Sequence, residues 1–241
     1  MSKKKTEATE TGLDELNDSL TNVTRRMQEN KKILAIISVV VLAVIALVLA
    51  YVYFFRNPAM ARANDTIGEA DLELAQGNDS TALVTYKKLA DDGSYDAGNR
   101  AALNAAILLY QQGAKELTDG KADQAKKSFE QALRYGEEYS VQDDVVGAAA
   151  YALQGDCLVN LDRLDEAAGK FQKAIKTSDA NPAYTPYFML KLARVYEAQK
   201  KYADQLSTLE KIKAEYPSYC GQHRVDLDAM IDLARLRSNA K

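Results

Sequence analysis

"YALQGDCLVNLDRLDEAAGKFQKAI", residues Tyr151–Ile175, decides the fold of this chain. Its apolar residues recur at helical intervals, and Asp162 is a turn signal between two such segments. Small residues hold particular places: Gly155 in the first segment, Ala167 and Ala174 in the second, with Phe171 between the two alanines. Two antiparallel helices that pack closely need Gly or Ala where they cross, because a larger side chain would push the axes apart. An aromatic such as Phe171 is then expected to fill the wedge between one helix pair and the next.

This arrangement resembles the tetratricopeptide repeat, a unit of 34 residues. Laid on that pattern from Ala148, Tyr151 takes the first large position, Gly155 the glycine and Leu158 the next large one. Ala167, Phe171 and Ala174 follow in the second helix, and Asp179 stands where a closing proline is usual. The same offsets from Ala106 give Leu109, Gly113, Ala125, Phe129 and Ala132, with Glu116 at a large position. From Pro186 they give Met189, Leu192, Ala193, Tyr196, Leu209, Ile212 and Pro217, with Gln205 in place of an alanine. A weaker match from Ala63 carries Ala70, Ala82 and Tyr86. The repeats so read are 106–139, 148–181, 186–219 and 63–96. Phe129 and Phe171 lie 42 positions apart, and Phe171 and Leu209 lie 38, so extended joints between repeats are expected.

Around these repeats, residues 58–241 carry almost no strand signals. Asn78, Asp119-Gly120 and Asp162 mark turns within the pairs, and Asn181-Pro182 opens a helix. Residues 221–238 set Val225, Leu227, Met230, Ile231, Ala234 and Leu236 on one side and read as a helix capping the apolar end of the stack. The expected fold is all-α: one N-terminal transmembrane helix, a right-handed α-solenoid of about four helix pairs, and the capping helix.

The anchor is read from residues 33–55. From Ile33 to Phe55 no residue is charged, and a helix of that length spans about 34 Å, enough to cross a hydrocarbon core of about 30 Å. Lys31-Lys32 stand at one end and Tyr51, Tyr53, Phe54 and Phe55 at the other, as boundary-seeking side chains do. The run exceeds the apolar centre of a signal peptide, although Ala59-Met60-Ala61 imitates a cleavage site. Arg25, Arg26, Lys31 and Lys32 precede the span while Arg56 and Arg62 follow it, which favours a cytoplasmic N-terminus and an exported repeat domain in a bacterial inner membrane. Residues 1–32 form the cytoplasmic tail, where Leu13, Leu16, Leu20, Val23 and Met27 make a helical stripe. That stripe could pair with a second copy, lie on the membrane, or simply lead into the span.

The sequence argues against chemistry. Its single histidine, His223, leaves no nucleophile-base arrangement and no histidine metal site to build with Cys157 or Ser94. Asp91-Asp92, Glu137-Glu138 and Asp143-Asp144 lack the spacing of a calcium loop. Cys157 reads as a small buried residue, and a disulfide to Cys220 would have to bridge more than one repeat. Asn78-Asp79-Ser80 is formally a glycosylation acceptor, a short match frequent by chance. The whole chain carries a net charge of -3, and residues 56–241 hold 24 of the 31 basic and 28 of the 34 acidic residues, which argues against nucleic acid as a partner. No enzyme activity, metal or cofactor is expected.

What remains is a surface. In tetratricopeptide proteins the first helix of each pair lines a concave groove, and transferring those offsets gives Tyr110 and Leu117, Asp156 and Asn160, and Tyr187, Arg194 and Glu197 as candidate peptide-binding residues. Mixed aromatic and charged side chains suit a protein segment. The layout as a whole resembles a family of bacterial inner-membrane proteins that includes the YfgM-like ancillary subunit of the Sec translocon. The resemblance rests on "ENKK" before the span, the span itself, and "YTPYFMLKLARVYEAQKKYADQLSTLEKIKAEYP" with its closing helix. It implies translocon subunits, a membrane-bound prolyl isomerase or chaperone, and unfolded exported clients as partners. Organellar import receptors combine an anchor with the same repeats facing the cytosol, and they form the alternative.

Overall fold

A computed structural model describes residues 30–223 and 225–239. The stripe from Leu13 to Met27 and the side chains of Cys220 and His223 lie outside the described residues, so pairing through the stripe and the Cys157–Cys220 bridge have no structural account. All regular structure among the described residues is helical.

The first unit, ending at Ala59, is built on α1, Lys31–Tyr51, which has no buried residue. Helical structure runs from Lys31 to Ala75, past the apolar run that closes at Phe55. Its continuation passes through a π-helical turn, Val52–Arg56, where the Asn57 N–H reaches back to the Val52 carbonyl. Pro58 follows at once and has no N–H to give, so the widened turn accommodates a residue that would break a regular helix.

The second unit begins at Met60, inside α2, Asn57–Ala75, which is followed by α3, Asp79–Asp91. Then come α4, Tyr95–Thr118, with α5, Ala122–Glu138, and α6, Asp144–Asn160, with α7, Leu164–Thr177. The last pair is α8, Thr185–Ala198, with α9, Tyr202–Glu215. From α3 to α9 each helix packs on the next, and α4 also meets α6, so first helices of neighbouring pairs lie side by side. The capping helix expected over 221–238 is α11, Leu227–Asn239, preceded by a separate short helix, α10, Pro217–His223. Pro217 therefore opens a helix instead of ending a repeat, as its fixed φ favours.

The four turns inside the pairs share one construction. Gly77, Gly120, Asp162 and Lys200 each adopt a left-handed backbone, with φ of 82°, 76°, 58° and 58°. In each, the next N–H bonds a carbonyl five residues back: Asn78 to Glu73, Lys121 to Glu116, Arg163 to Leu158 and Lys201 to Tyr196, at 2.8–2.9 Å. This closes the carbonyls left over at a helix C-terminus. Only glycine meets the conformation without steric cost. Replacing exposed Lys200 by Gly should therefore raise stability by roughly 0.5–1 kcal/mol, read as a shift in the denaturant midpoint.

The repeat signature forms the core. Ala125, Ala132, Ala167, Ala174 and Ala193 are buried at the crossings, as are Phe129 and Phe171. The seat of the aromatics corrects the sequence reading. A Cβ added to Gly113 would lie 2.9 Å from the Phe129 ring, and one added to Gly155 would lie 2.8 Å from the Phe171 ring. Each ring thus fills the space its own pair's glycine leaves open, and only then reaches outward, where Lys191 of α8 approaches Phe171 at 6.0 Å.

The surplus length between repeats is also placed differently from the extended joints expected. It lies partly in helix: α5 and α6 are both 17 residues long, leaving only 139–143 between them. Residues 178–184 form the longer joint before α8. Asp179 and Ala180 there take left-handed conformations where the family's proline is absent.

Two apolar clusters divide the core at α8. Phe188, Leu192 and Val195 face the repeats before it, while Met189, Leu190 and Ala193 join Leu209, Ile212, Leu227, Ile231 and Ala234 behind it. Some polar exceptions have local partners: Gln154 is buried, donates to the Gly136 carbonyl at 2.6 Å and accepts from Lys170 at 2.7 Å. Glu116, standing where the repeat pattern wants a large apolar residue, accepts from Gln112 and Ser128, which hold its carboxyl below the usual range. Gln205, in place of an alanine, is buried with its Oε1 unpartnered.

Candidate binding groove

The exposed face of the first helices is where the repeat domain offers a site. Along α4, Leu103, Ile107 and Tyr110 fall three and four residues apart and share one face. On α6 the same spacing aligns Val145, Val146, Ala149, Leu153 and Asp156, and on α8 it aligns Tyr187, Lys191 and Arg194. Together with Tyr184 and Phe188, most of these line a groove of about 470 Å³. Its walls are apolar, yet Val145, Tyr184 and Tyr187 remain 49%, 46% and 45% exposed. Large apolar side chains left in water along one trough are unusual for a surface that meets nothing.

The groove continues into a second cavity lined by Asp156, Val159, Phe171, Lys191, Arg194 and Val195 among others, with Asp156 common to both. Lys191 Nζ donates to both oxygens of Asp156, at 2.7 and 2.9 Å, and the two side chains are only 20% and 22% exposed. The ammonium also lies 4.9 Å from the Tyr187 ring centroid. Burial pushes the Asp156 carboxyl above its ordinary range, and Lys191 partly offsets that. Burial works against the Lys191 charge too, but Asp156 more than compensates and holds the amine above its usual value. Tyr110 is tilted against Phe129 at 5.6 Å, and its hydroxyl is raised by burial and then by the Asp156 charge. Asn160 opposes that rise and donates to the Asp156 backbone carbonyl at 2.9 Å.

Of the seven candidate residues, Tyr110, Asp156, Asn160, Tyr187 and Arg194 are thus brought to one region. Leu117 is exposed in the last turn of α4 and lines neither cavity. Glu197 is bound instead to Arg237 of α11, which ties the capping helix to α8. Among the signature residues, Tyr151 is half-buried under Lys173, and Tyr196 accepts from Gln172 across the joint of two pairs.

Sequence reasoning missed Lys191, although it lies four residues after Tyr187 and three before Arg194, on the same face. It missed Val145 and Val146 because the repeat frame opened at Ala148, inside a helix that starts earlier. Among the described residues no group of three or more His, Cys, Asp or Glu side chains could hold a metal ion.

Residues 115–184 match the family described as "Tetratricopeptide repeat". The fold is a tetratricopeptide-like stack of helix pairs. The match runs from the end of α4 to the joint before α8, across the Gly155–Phe171 crossing and the α6 wall of the groove. Among solved structures, two crystal structures of MamA are similar at 17% and 18% identity, covering 73% and 71% of this chain and 88% and 95% of theirs, with TM-scores of 0.42 and 0.40. TTC0263, a thermophilic tetratricopeptide protein of Thermus thermophilus, is 22% identical over 72% of this chain and 81% of its own, with a TM-score of 0.40. No curated protein matches. Tetratricopeptide repeats are protein-interaction scaffolds, and one helix here is long and apolar enough to cross a membrane.

Proposed function

We propose that this chain is a single-pass membrane scaffold that holds its tetratricopeptide groove on the periplasmic side of a bacterial inner membrane, as an accessory to the Sec translocon and to periplasmic chaperones that receive exported proteins. The observation that carries the binding role is the groove, an open trough of half-exposed valines and tyrosines on the first helices. Anchoring is supported by α1 and the turn after it, an uninterrupted apolar helix with no buried residue that is long enough to cross a membrane. Orientation is supported by the excess of Lys and Arg before the span. The place beside the translocon rests on the family resemblance.

Intact inner-membrane spheroplasts provide the test of side. Protease added outside should degrade the repeat domain, and inverted vesicles should protect it; the reverse pattern would establish a cytosol-facing receptor. A product starting near Met60 would mean that the span is removed as a signal. Crosslinking in native membranes should then recover translocon subunits and a chaperone, whereas consistent recovery of other envelope machinery would place the scaffold elsewhere.

A further inference from the structure

The charge pattern of the groove says which segments it takes. Asp156, the anion shared by its two cavities, is occupied by Lys191 at 2.7 and 2.9 Å. Arg194 follows on the same face of α8, is exposed, lines the second cavity, and makes no hydrogen bond or ion pair among the described residues. The trough is therefore apolar along Ile107, Val145 and Tyr187, neutral at the ion pair, and positive beyond it. That positive end is set in a domain whose residues 56–241 are otherwise more acidic than basic, 28 to 24. An acidic segment is repelled by most of this surface and attracted here; a basic one meets the opposite field.

We infer that the groove selects polypeptide segments in which large apolar side chains adjoin an acidic residue, the apolar ones lying against Ile107, Val145 and Tyr187 and the carboxylate against Arg194. This rests on the groove being the binding site. The Asp156–Lys191 pair supports the selection: with its own carboxylate neutralised, the groove presents no anion to compete for Arg194.

The full chain in lipid nanodiscs, with empty nanodiscs as control, is titrated into three fluorescent peptides of equal length. One carries a leucine-phenylalanine cluster followed by two glutamates, the second has lysines for the glutamates, and the third keeps the glutamates but has serines for the apolar residues. Fluorescence anisotropy should show the first binding about three- to tenfold more tightly than the second, and the third not binding. Arg194→Glu, an exposed substitution, should reverse the order of the first two, while Tyr187→Ala should weaken both. Equal binding of the first two peptides, or an order unchanged by Arg194→Glu, overturns the charge selection while leaving the groove in place. No binding by any peptide, or binding indifferent to Tyr187→Ala, overturns the groove reading and the selection together.

Discussion

Gly155→Leu is expected to destabilise the repeat domain by roughly 1–3 kcal/mol or more, the range found when extra methylenes are forced into a packed core. Even the first added carbon would lie 2.8 Å from two carbons of the Phe171 ring. The ring is buried and cannot swing into solvent, so α6 and α7 must separate. Phe171→Ala alone should cost about 3–5 kcal/mol by leaving a cavity. The double substitution is the discriminating one. If the two side chains compete for one space, Gly155→Leu should cost much less in the Phe171→Ala background than in the native chain, and the two effects will not add. Denaturant unfolding of the four proteins measures this, and strict additivity would show that the ring and the glycine do not share the crossing. Gly113 and Phe129, at 2.9 Å, should behave alike one pair earlier.

Asp156→Ala should cost about 1–3 kcal/mol, because it strands the Lys191 ammonium in a largely buried place without its partner. The pH dependence distinguishes this from simple loss of packing. In the native chain Lys191 has its folded pKa raised by Asp156. Its contribution is thus full below the unfolded lysine value and is lost as pH rises through the folded one. Without the carboxylate, burial is opposed only by Tyr187, and the folded pKa should fall. The variant should therefore gain stability relative to the native chain as pH is raised into the alkaline range, where Lys191 sheds its proton. Asp156→Ala combined with Lys191→Met should return to within about 1 kcal/mol of the native chain, since an apolar pair needs no charge compensation. A stability gap independent of pH would show that Asp156 matters through shape alone.

The helix pairs were legible because their rule is short-ranged and volumetric. Gly113, Ala125, Phe129 and Ala132 repeat as Gly155, Ala167, Phe171 and Ala174, and that register survives any uncertainty about loops. Helix ends were less legible. Tyr95 opens α4 eleven residues before the repeat frame at Ala106, because nothing in a repeat pattern forbids a helix from beginning early. The groove was legible by face but not by partner. Lys191 reads as an ordinary surface lysine until folding brings Asp156, 35 positions upstream, to 2.7 Å. Glu197 had the right spacing for the groove, yet Arg237 from the far end of the chain claims it. Lys200 gives no sign in sequence of a left-handed turn, since the neighbouring backbone imposes that conformation against its preference.

The turns at Gly77, Gly120, Asp162 and Lys200 also bear on how the chain reaches this state. Each closes its hydrogen bond over a few residues, and each glycine–aromatic contact joins helices adjacent in sequence. Native contacts of such short separation demand little chain entropy before they form, which favours fast folding. A helix pair can assemble once its own residues are available, without waiting for the C-terminus. A polypeptide that emerges progressively, from a ribosome or across a membrane, can therefore complete its N-terminal pairs while the rest is still arriving.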